Sequence, residues 1–114
     1  NMHELSIIES LIEQLEQIQK ETGKGNIIRI DLRIGRLEHI NQETFRFMFE
    51  QAKADTCAEH AHLNLIIDPL KIKCRSCHLE FEPDDGIWIC PECGAIGGEI
   101  LQGTEVILES VIFE

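Results

Sequence analysis

The first hydrophobic pattern in the chain is helical. From Leu5 to about Lys20, apolar residues recur every three or four positions and the intervening positions are rich in Glu and Gln, which predicts an amphipathic helix. Its apolar stripe is expected to include Leu5, Ile8, Ile12 and Leu15. Ser6 and Glu9 have the spacing of a capping box, although an earlier start stays open. Gly23 is expected to end the helix.

Three further segments alternate with the period of a strand, and a second helix lies between the first two. The first strand is expected to bury Ile28, Ile30, Leu32 and Ile34. The second helix is expected to begin after a capping Asn41 and to bury Phe45, Met48, Phe49 and Ala52. The second strand is expected to bury Leu63, Leu65 and Ile67. The last, from about Thr104 to Phe113, has Val106, Leu108 and Ile112 on one face and Ile107, Val111 and Phe113 on the other.

These elements predict an α+β fold in which two helices cover one face of a small three-stranded sheet. A cysteine-rich stretch, residues 70–100, interrupts the sheet before its last strand. We therefore expect a first domain of residues 1–69, completed by residues 101–114, and an inserted module of residues 70–100. Its tethers, residues 68–70 and 96–98, contain the Pro and Gly expected of a hinge.

Composition and charge narrow the classes of function. The chain has 114 residues and a formal charge of -11, with a pI near 4.8. From Ser76 onward it contains no Lys or Arg. Such a charge repels phosphate backbones and anionic lipid, which argues against nucleic-acid and membrane partners. Because no apolar run approaches about 20 residues and no signal peptide is recognisable, we expect a cytoplasmic protein.

Four of the five cysteines form two CxxC pairs, Cys74 with Cys77 and Cys90 with Cys93. An odd count without a secretory signal argues against disulfides, whereas paired CxxC turns are typical of tetrahedral zinc. Four thiolates leave no position for water, so this zinc is expected to be structural. His78 is expected to be an exposed spectator rather than a replacement ligand. Cys57 is expected to be a small buried residue.

The amino-terminal residues Met2, His3 and Glu4 are a second candidate metal site. A terminal amine, an amide nitrogen and a nearby imidazole form a chelate that suits square-planar nickel or copper, and Glu4 adds an oxygen. The competing interpretation is that His3 and Glu4 only begin a helix, where an acidic side chain complements the dipole. The spacing alone favours the helix start.

The sequence from Met2 to Ser6, the Ile34-Gly35 pair and the double CxxC module together resemble the HypA/HybF family over essentially the whole chain. This family consists of nickel metallochaperones for nickel–iron hydrogenase maturation. The resemblance implies a nickel-binding domain of residues 1–69 and 101–114, a zinc domain of residues 70–100, and nickel ligands at Met2, His3 and Glu4.

Two features of the implied nickel site stay open. Some relatives add a side chain from the loop before the second helix, where Asn41 and His39 lie, but a plain helix cap is favoured for Asn41. Asn1 precedes the methionine that normally begins the family. A chelate that includes Asn1 would place the histidine third rather than second and would contain four nitrogens.

The resemblance also implies partners, namely a HypB-type GTPase, the hydrogenase large subunit and, for some relatives, urease maturation factors. We expect a monomer or a weak homodimer. Two other readings stay open: a zinc-stabilised protein–protein adaptor without a cargo metal, and a metal-dependent enzyme. The second needs an open coordination position that four thiolates do not offer, and no catalytic motif is recognisable, so no enzyme activity is expected.

Overall fold

The computed structural model describes residues 3–84 and 86–114, and this part of the chain forms two helices and two small sheets. The elements follow in the order α1 (Glu4–Thr22), β1 (Ile27–Gly35), a 3-10 turn (Arg36–Glu38), α2 (Gln42–Ala52), β2 (His62–Asp68), β3 (Lys71–Lys73), β4 (Glu80–Phe81), β5 (Glu99–Gln102) and β6 (Val106–Phe113). Neither helix has the length and apolarity needed to cross a membrane.

The first sheet has the strand order β2-β1-β6, and the two helices pack on one of its faces. β1 is parallel to β2, so the connection that contains α2 is a crossover, while β1 and β6 are antiparallel. The buried core between helices and sheet is formed by Ile7, Ile8, Leu11, Leu15, Ile27, Ile30, Leu32, Ile34, Phe45, Phe49, Ala58, Ala61 and Leu63. The predicted arrangement of two helices on a three-stranded sheet is confirmed.

The ends of α1 and α2 show which of the predicted capping residues begin and end the two helices. The N-cap of α1 is His3, not Ser6, so the capping box is not what begins this helix. Its last turn closes as expected, because Gly23 adopts a left-handed conformation (φ 65°) and donates its N–H to the Gln19 carbonyl. At α2 the predicted cap is confirmed: the Asn41 side chain accepts a hydrogen bond from the Thr44 N–H at 2.9 Å.

Two irregularities change the predicted faces of the strands. A register shift between Ile27 and Arg29 buries Ile27 and leaves Ile28 exposed, which reverses the prediction for Ile28. In β6 a second shift reverses the face beyond Leu108, so that Val111 packs against the core and Ile112 is exposed. A bulged strand gains one residue relative to its partner, and every later side chain then changes face.

The second sheet has the order β4-β3-β5 and was not foreseen as a sheet. Its centre is Ile72, which is fully buried between antiparallel partners on both sides. β5 continues to Gln102, so this sheet extends past residue 100. The tether predicted at residues 96–98 is packed into this sheet at its last residue, because Gly98 is buried and a Cβ placed there would lie 2.5 Å from the Lys73 carbonyl oxygen.

The two sheets meet where Gly35, at the end of β1, lies against Gly103, which connects β5 to β6. A Cβ on Gly35 would lie 2.2 Å from the Gly103 carbonyl carbon and oxygen. The Leu37 N–H donates to the Gly103 carbonyl at 2.9 Å, and the Gln102 side-chain amide donates to the Pro69 carbonyl at 3.1 Å. Backbone contacts, rather than a free linker, therefore join the sheets.

Candidate metal centres

Two tight turns carry the four paired cysteines, and they share one backbone pattern. In the first turn the His78 N–H donates to the Cys74 carbonyl at 3.0 Å; in the second the Gly94 N–H donates to the Cys90 carbonyl at 3.0 Å. His78 (φ 66°) and Gly94 (φ 75°) are both left-handed. His78 is exposed, as expected. The CxxC repeat of the sequence is therefore a structural repeat in which a histidine occupies the glycine position of the other turn.

The four sulfur atoms converge on one point. The Sγ atoms of Cys74 and Cys93 are 3.6 Å apart, those of Cys77 and Cys90 are 3.5 Å apart, and all four lie within 4.8 Å of one another. These separations are far longer than a disulfide bond of about 2.05 Å. A tetrahedral zinc ion with bonds of about 2.3 Å requires sulfur–sulfur distances of about 3.8 Å. The donor set and its spacing therefore fit a zinc ion.

The four thiols differ in their readiness to ionise. The backbone amide of Cys77 donates to the Cys74 sulfur and is the main reason why the pKa of Cys74 is lowered to about 6. The pKa of Cys90 is lowered in the same way by the amide of Cys93. For Cys77 the amide of Leu79 acts in the same direction, but proton sharing with Cys90 and desolvation outweigh it and raise the pKa to about 12. Four sulfurs this close cannot all be anionic unless a cation replaces their protons.

The fifth cysteine stands apart from this cluster. Cys57 is half-buried against the core of the first sheet, and its N–H donates to the Glu16 carboxylate at 3.1 Å. Desolvation, followed by the charge of Glu16, raises the pKa of the Cys57 thiol. A protonated, packed thiol agrees with the prediction of a small structural residue.

At the amino terminus the structure describes His3 and Glu4, whereas Met2 lies outside the described residues. His3 is exposed and extended (φ −79°, ψ 157°), and its side chain makes no capping hydrogen bond to α1. Glu4 contacts a distant part of the chain, because its Oε2 accepts the Asn41 N–H at 3.0 Å. This amide is the main cause of the lowered pKa of Glu4. The pairing spans 37 residues, and no sequence signal predicted it.

The remaining candidate side chains are not drawn into a cluster. The side-chain amide oxygen of Asn41 is occupied by the helix cap. His39 is in a left-handed conformation at the end of the 3-10 turn. Two further histidines lie near the start of β2 and are also exposed: His60, which is 3.5 Å from Glu59, and His62. Within residues 3–84 and 86–114, the four paired cysteines are the one group of three or more His, Cys, Asp or Glu side chains close enough to hold a metal.

The fold and the site together define a class: a small α+β metal-binding protein with a four-cysteine, zinc-ribbon-like module inserted before the last strand of its main sheet. The model of the family described as HypA, hydrogenase/urease nickel incorporation, metallochaperone, matches residues 2–113. The chain belongs to this family of nickel metallochaperones, and the predicted role in hydrogenase maturation is confirmed at that level.

Individual relatives agree with the family match over nearly the whole chain. The hydrogenase maturation factor HypA of Aquifex aeolicus (strain VF5) is 33% identical over 113 residues, which cover 99% of this chain and 98% of that protein. The HypA of Shewanella sp. (strain MR-7) is also 33% identical, with 99% and 96% covered. The solution structure of the nickel metallochaperone HypA from Helicobacter pylori superposes with a TM-score of 0.70 at 27% identity, covering 98% of this chain and 97% of that one. The two sequence relatives carry the name hydrogenase maturation factor, and the solved structure is described as a nickel metallochaperone.

Proposed function

We propose that this chain carries Ni²⁺ at its amino terminus as cargo, keeps a permanent zinc ion in the four-cysteine site, and delivers the nickel to the hydrogenase large subunit. The proposed nickel ligands come from Met2, His3 and Glu4, and the proposed zinc ligands are the four paired cysteines. The division into a nickel-binding domain (residues 1–69 with 101–114) and a zinc domain (residues 70–100) belongs to the same proposal.

The observation that carries this proposal is the contrast between His3 and Glu4. Glu4 is fixed by the Asn41 N–H, so the first turn of α1 is held against the loop before α2. His3 is exposed, extended and not engaged as a cap, so its imidazole is available without unfolding the helix. An amide nitrogen, an imidazole and a carboxylate at one helix start are donors that suit nickel or copper. The Asn41 contact supports this helix start as a preorganised site.

The four-cysteine site supports a different role for its metal. Four thiolates complete a tetrahedron, so neither water nor a competing ligand finds an open position. Such an ion exchanges slowly and stabilises the fold around it, which is unsuitable for a cargo that must be passed on. We therefore assign the zinc to structure. The partners that would supply and receive the nickel are a HypB-type GTPase and the hydrogenase large subunit, with urease maturation factors as further recipients.

The test is a nickel titration of the zinc-loaded protein, prepared to begin at Met2, by calorimetry and by the d–d absorption band. We expect one nickel per chain in the wild type, no stoichiometric binding in His3→Ala and weakened binding in Glu4→Gln. His60→Ala is the matched control, because His60 is equally a solvent-exposed histidine but lies far along the chain. Zinc content should be the same in all four proteins. Nickel binding indifferent to His3 would refute the proposal and favour the zinc-stabilised adaptor.

A further inference from the structure

The second half of α2 and the start of β2 enclose a cavity of about 430 Å³, which lies away from both proposed metal sites. This volume is in the range of small-molecule sites. The basic side chains that line the cavity are Arg46, Lys53, His60 and His62, and Glu50 is the one acidic residue among its described lining residues. The whole chain has 21 acidic residues against 10 Lys and Arg. The cavity therefore reverses the charge balance of the chain, which favours an anionic ligand.

The spacing of the helix places the charged groups of the cavity on one face. Arg46, Glu50 and Lys53 are four and three residues apart, which brings them to the same side of an α-helix. Lys53 is the C-cap of α2 and keeps a helical backbone (φ −77°, ψ −12°). Phe49, on the same side, is fully buried, and its ring centroid lies 5.8 Å from the Lys53 Nζ. The buried ring therefore supports the charged face from below.

Backbone carbonyls at the start of β2 hold both cations in position. The Arg46 Nη1 donates to the Leu63 carbonyl at 3.0 Å, and the Lys53 Nζ donates to the Ala61 carbonyl at 3.1 Å. The Lys53 side chain is only 14% exposed. A neutral carbonyl orients a cation without cancelling its charge. The two positive groups are thus fixed before any ligand binds, which lowers the entropy cost of binding.

The two cations differ in how far their charge is neutralised. Lys53 has a carboxylate partner, because its Nζ lies 2.8 Å from the Glu50 Oε2. Arg46 makes no ion pair with any other residue that the structure describes, whereas Arg33 is paired with two carboxylates. The hydrogen bond to Leu63 uses one of the five N–H donors of the Arg46 guanidinium. Arg46 therefore offers an unneutralised charge and further donors to a ligand.

We propose that this cavity binds a small organic acid, whose carboxylate pairs with the Arg46 guanidinium. The planar guanidinium matches the two oxygens of a carboxylate. Glu50 shows that the cavity accepts a carboxylate, and its side chain is 59% exposed, so it can move aside. A phosphate dianion is disfavoured, because its second charge would meet Glu50 and the field of a chain with a formal charge of -11. Because Lys53 is recessed, a small molecule reaches the cavity more readily than a carboxylate attached to a folded partner.

The experiment is an NMR titration of the zinc-loaded, nitrogen-15-labelled full chain with sodium acetate, in which sodium chloride keeps the ionic strength constant. We expect saturable shifts of the Arg46 side-chain N–H and of the backbone amides of residues 60–63. Arg46→Gln should weaken acetate binding by about tenfold or more, because charge-assisted hydrogen bonds are lost. Glu50→Gln should strengthen it, because a competing carboxylate is removed. Lys20→Gln and Glu13→Gln are the matched controls: they make the same charge changes at exposed positions of α1 outside the cavity, and should alter binding by less than about twofold.

Parallel titrations with inorganic phosphate and with the peptide acetyl-Gly-Asp-Gly-amide test the choice of ligand. The proposal is overturned if acetate gives no saturable shift, if phosphate binds more tightly than acetate, or if only the peptide binds. Equal effects of the test and control variants would likewise overturn it, since they would show a general charge effect. Zinc content and circular dichroism establish that the variants are folded. Because no residue of the cavity is a proposed nickel ligand, Arg46→Gln should still bind one nickel, and His3→Ala should still bind acetate.

Discussion

Replacing Gly35 by alanine tests whether the two sheets are joined rigidly. The backbone of Gly35 (φ −65°, ψ 141°) is one that alanine adopts without strain, so the substitution changes only the space that the residue occupies. The added Cβ would lie 2.2 Å from the carbonyl carbon and oxygen of Gly103, and 2.6 Å from the amide nitrogen of Thr104. All three atoms belong to the backbone and cannot rotate away.

The expected loss of stability in Gly35→Ala can be derived from the contacts that must separate to make room for the methyl group. Relief of the contact requires separation of two segments that are joined by the Gly35 N–H to Glu105 carbonyl bond (2.7 Å) and the Leu37 N–H to Gly103 carbonyl bond (2.9 Å). Overpacking costs about 1–3 kcal/mol, and each hydrogen bond lost adds about 0.5–1.5 kcal/mol. We therefore expect the free energy of unfolding to fall by about 2–6 kcal/mol.

Urea unfolding of the zinc-loaded protein, followed by circular dichroism, provides the measurement, and two other glycines are matched controls. Gly25 has no atom within 4 Å of an added Cβ and no positive φ, so Gly25→Ala should be neutral or slightly stabilising. Gly23 has equally open space but φ +65°, so Gly23→Ala should cost about 1–2 kcal/mol through the backbone alone. If Gly35→Ala is no more destabilising than Gly23→Ala, the close contact between the sheets is not a constraint.

Three further outcomes are expected. The hydroxyl of Ser110 and other donors on the first sheet lower the pKa of Asp31 to about 2 in the folded protein. The ionised carboxylate therefore stabilises the fold above the unfolded-state pKa of about 3.9, and this stabilisation is lost as the pH falls through the folded-state pKa. Asp31→Asn should thus be less stable than wild type at pH 7, with a gap that narrows by pH 2 in acid unfolding curves; a constant gap would contradict this. Burial and the charge of Glu16 raise the pKa of Cys57, so its thiol should react with iodoacetamide at pH 7 more slowly than the thiol of a free cysteine peptide. Mass spectrometry of the zinc-loaded protein, in which the four paired cysteines are protected, measures this rate. His78→Gly should stabilise the zinc-loaded module against heat by about 1 kcal/mol, since φ 66° strains a histidine; an unchanged melting temperature would argue against strain.

The sequence predicted the features that depend on local spacing. Helix α1, the Asn41 cap and the alternation of β2 each follow from a period or a short-range hydrogen bond, and the structure contains all three. Within the predicted stripe of α1, however, Leu5 is wrong, because it is 45% exposed and Ile7 is buried instead. The paired CxxC turns were equally predictable, because this spacing is typical of the tight turns that hold structural zinc. The same local reasoning failed in β1 and β6, where a bulge reversed the faces of Ile28 and Ile112. A bulge depends on the register with the neighbouring strand, which the sequence of one strand does not contain.

For the candidate metal sites, too, some features were predictable from the sequence and others depend on tertiary contacts. The sequence by itself indicated the candidate donors: four paired thiols, which the structure brings together, and an amide, an imidazole and a carboxylate at the amino terminus, which stay a prediction. Only the tertiary structure decided that Glu4 contacts the Asn41 amide, that Gly103 lies against Gly35, and that Ile89 and Ile96 form an exposed pair. These contacts join residues that are far apart along the chain or that a turn brings face to face. The packing of the sheets decides which residues make these contacts. The sequence around a backbone amide or an exposed isoleucine does not indicate which distant residue will lie next to it.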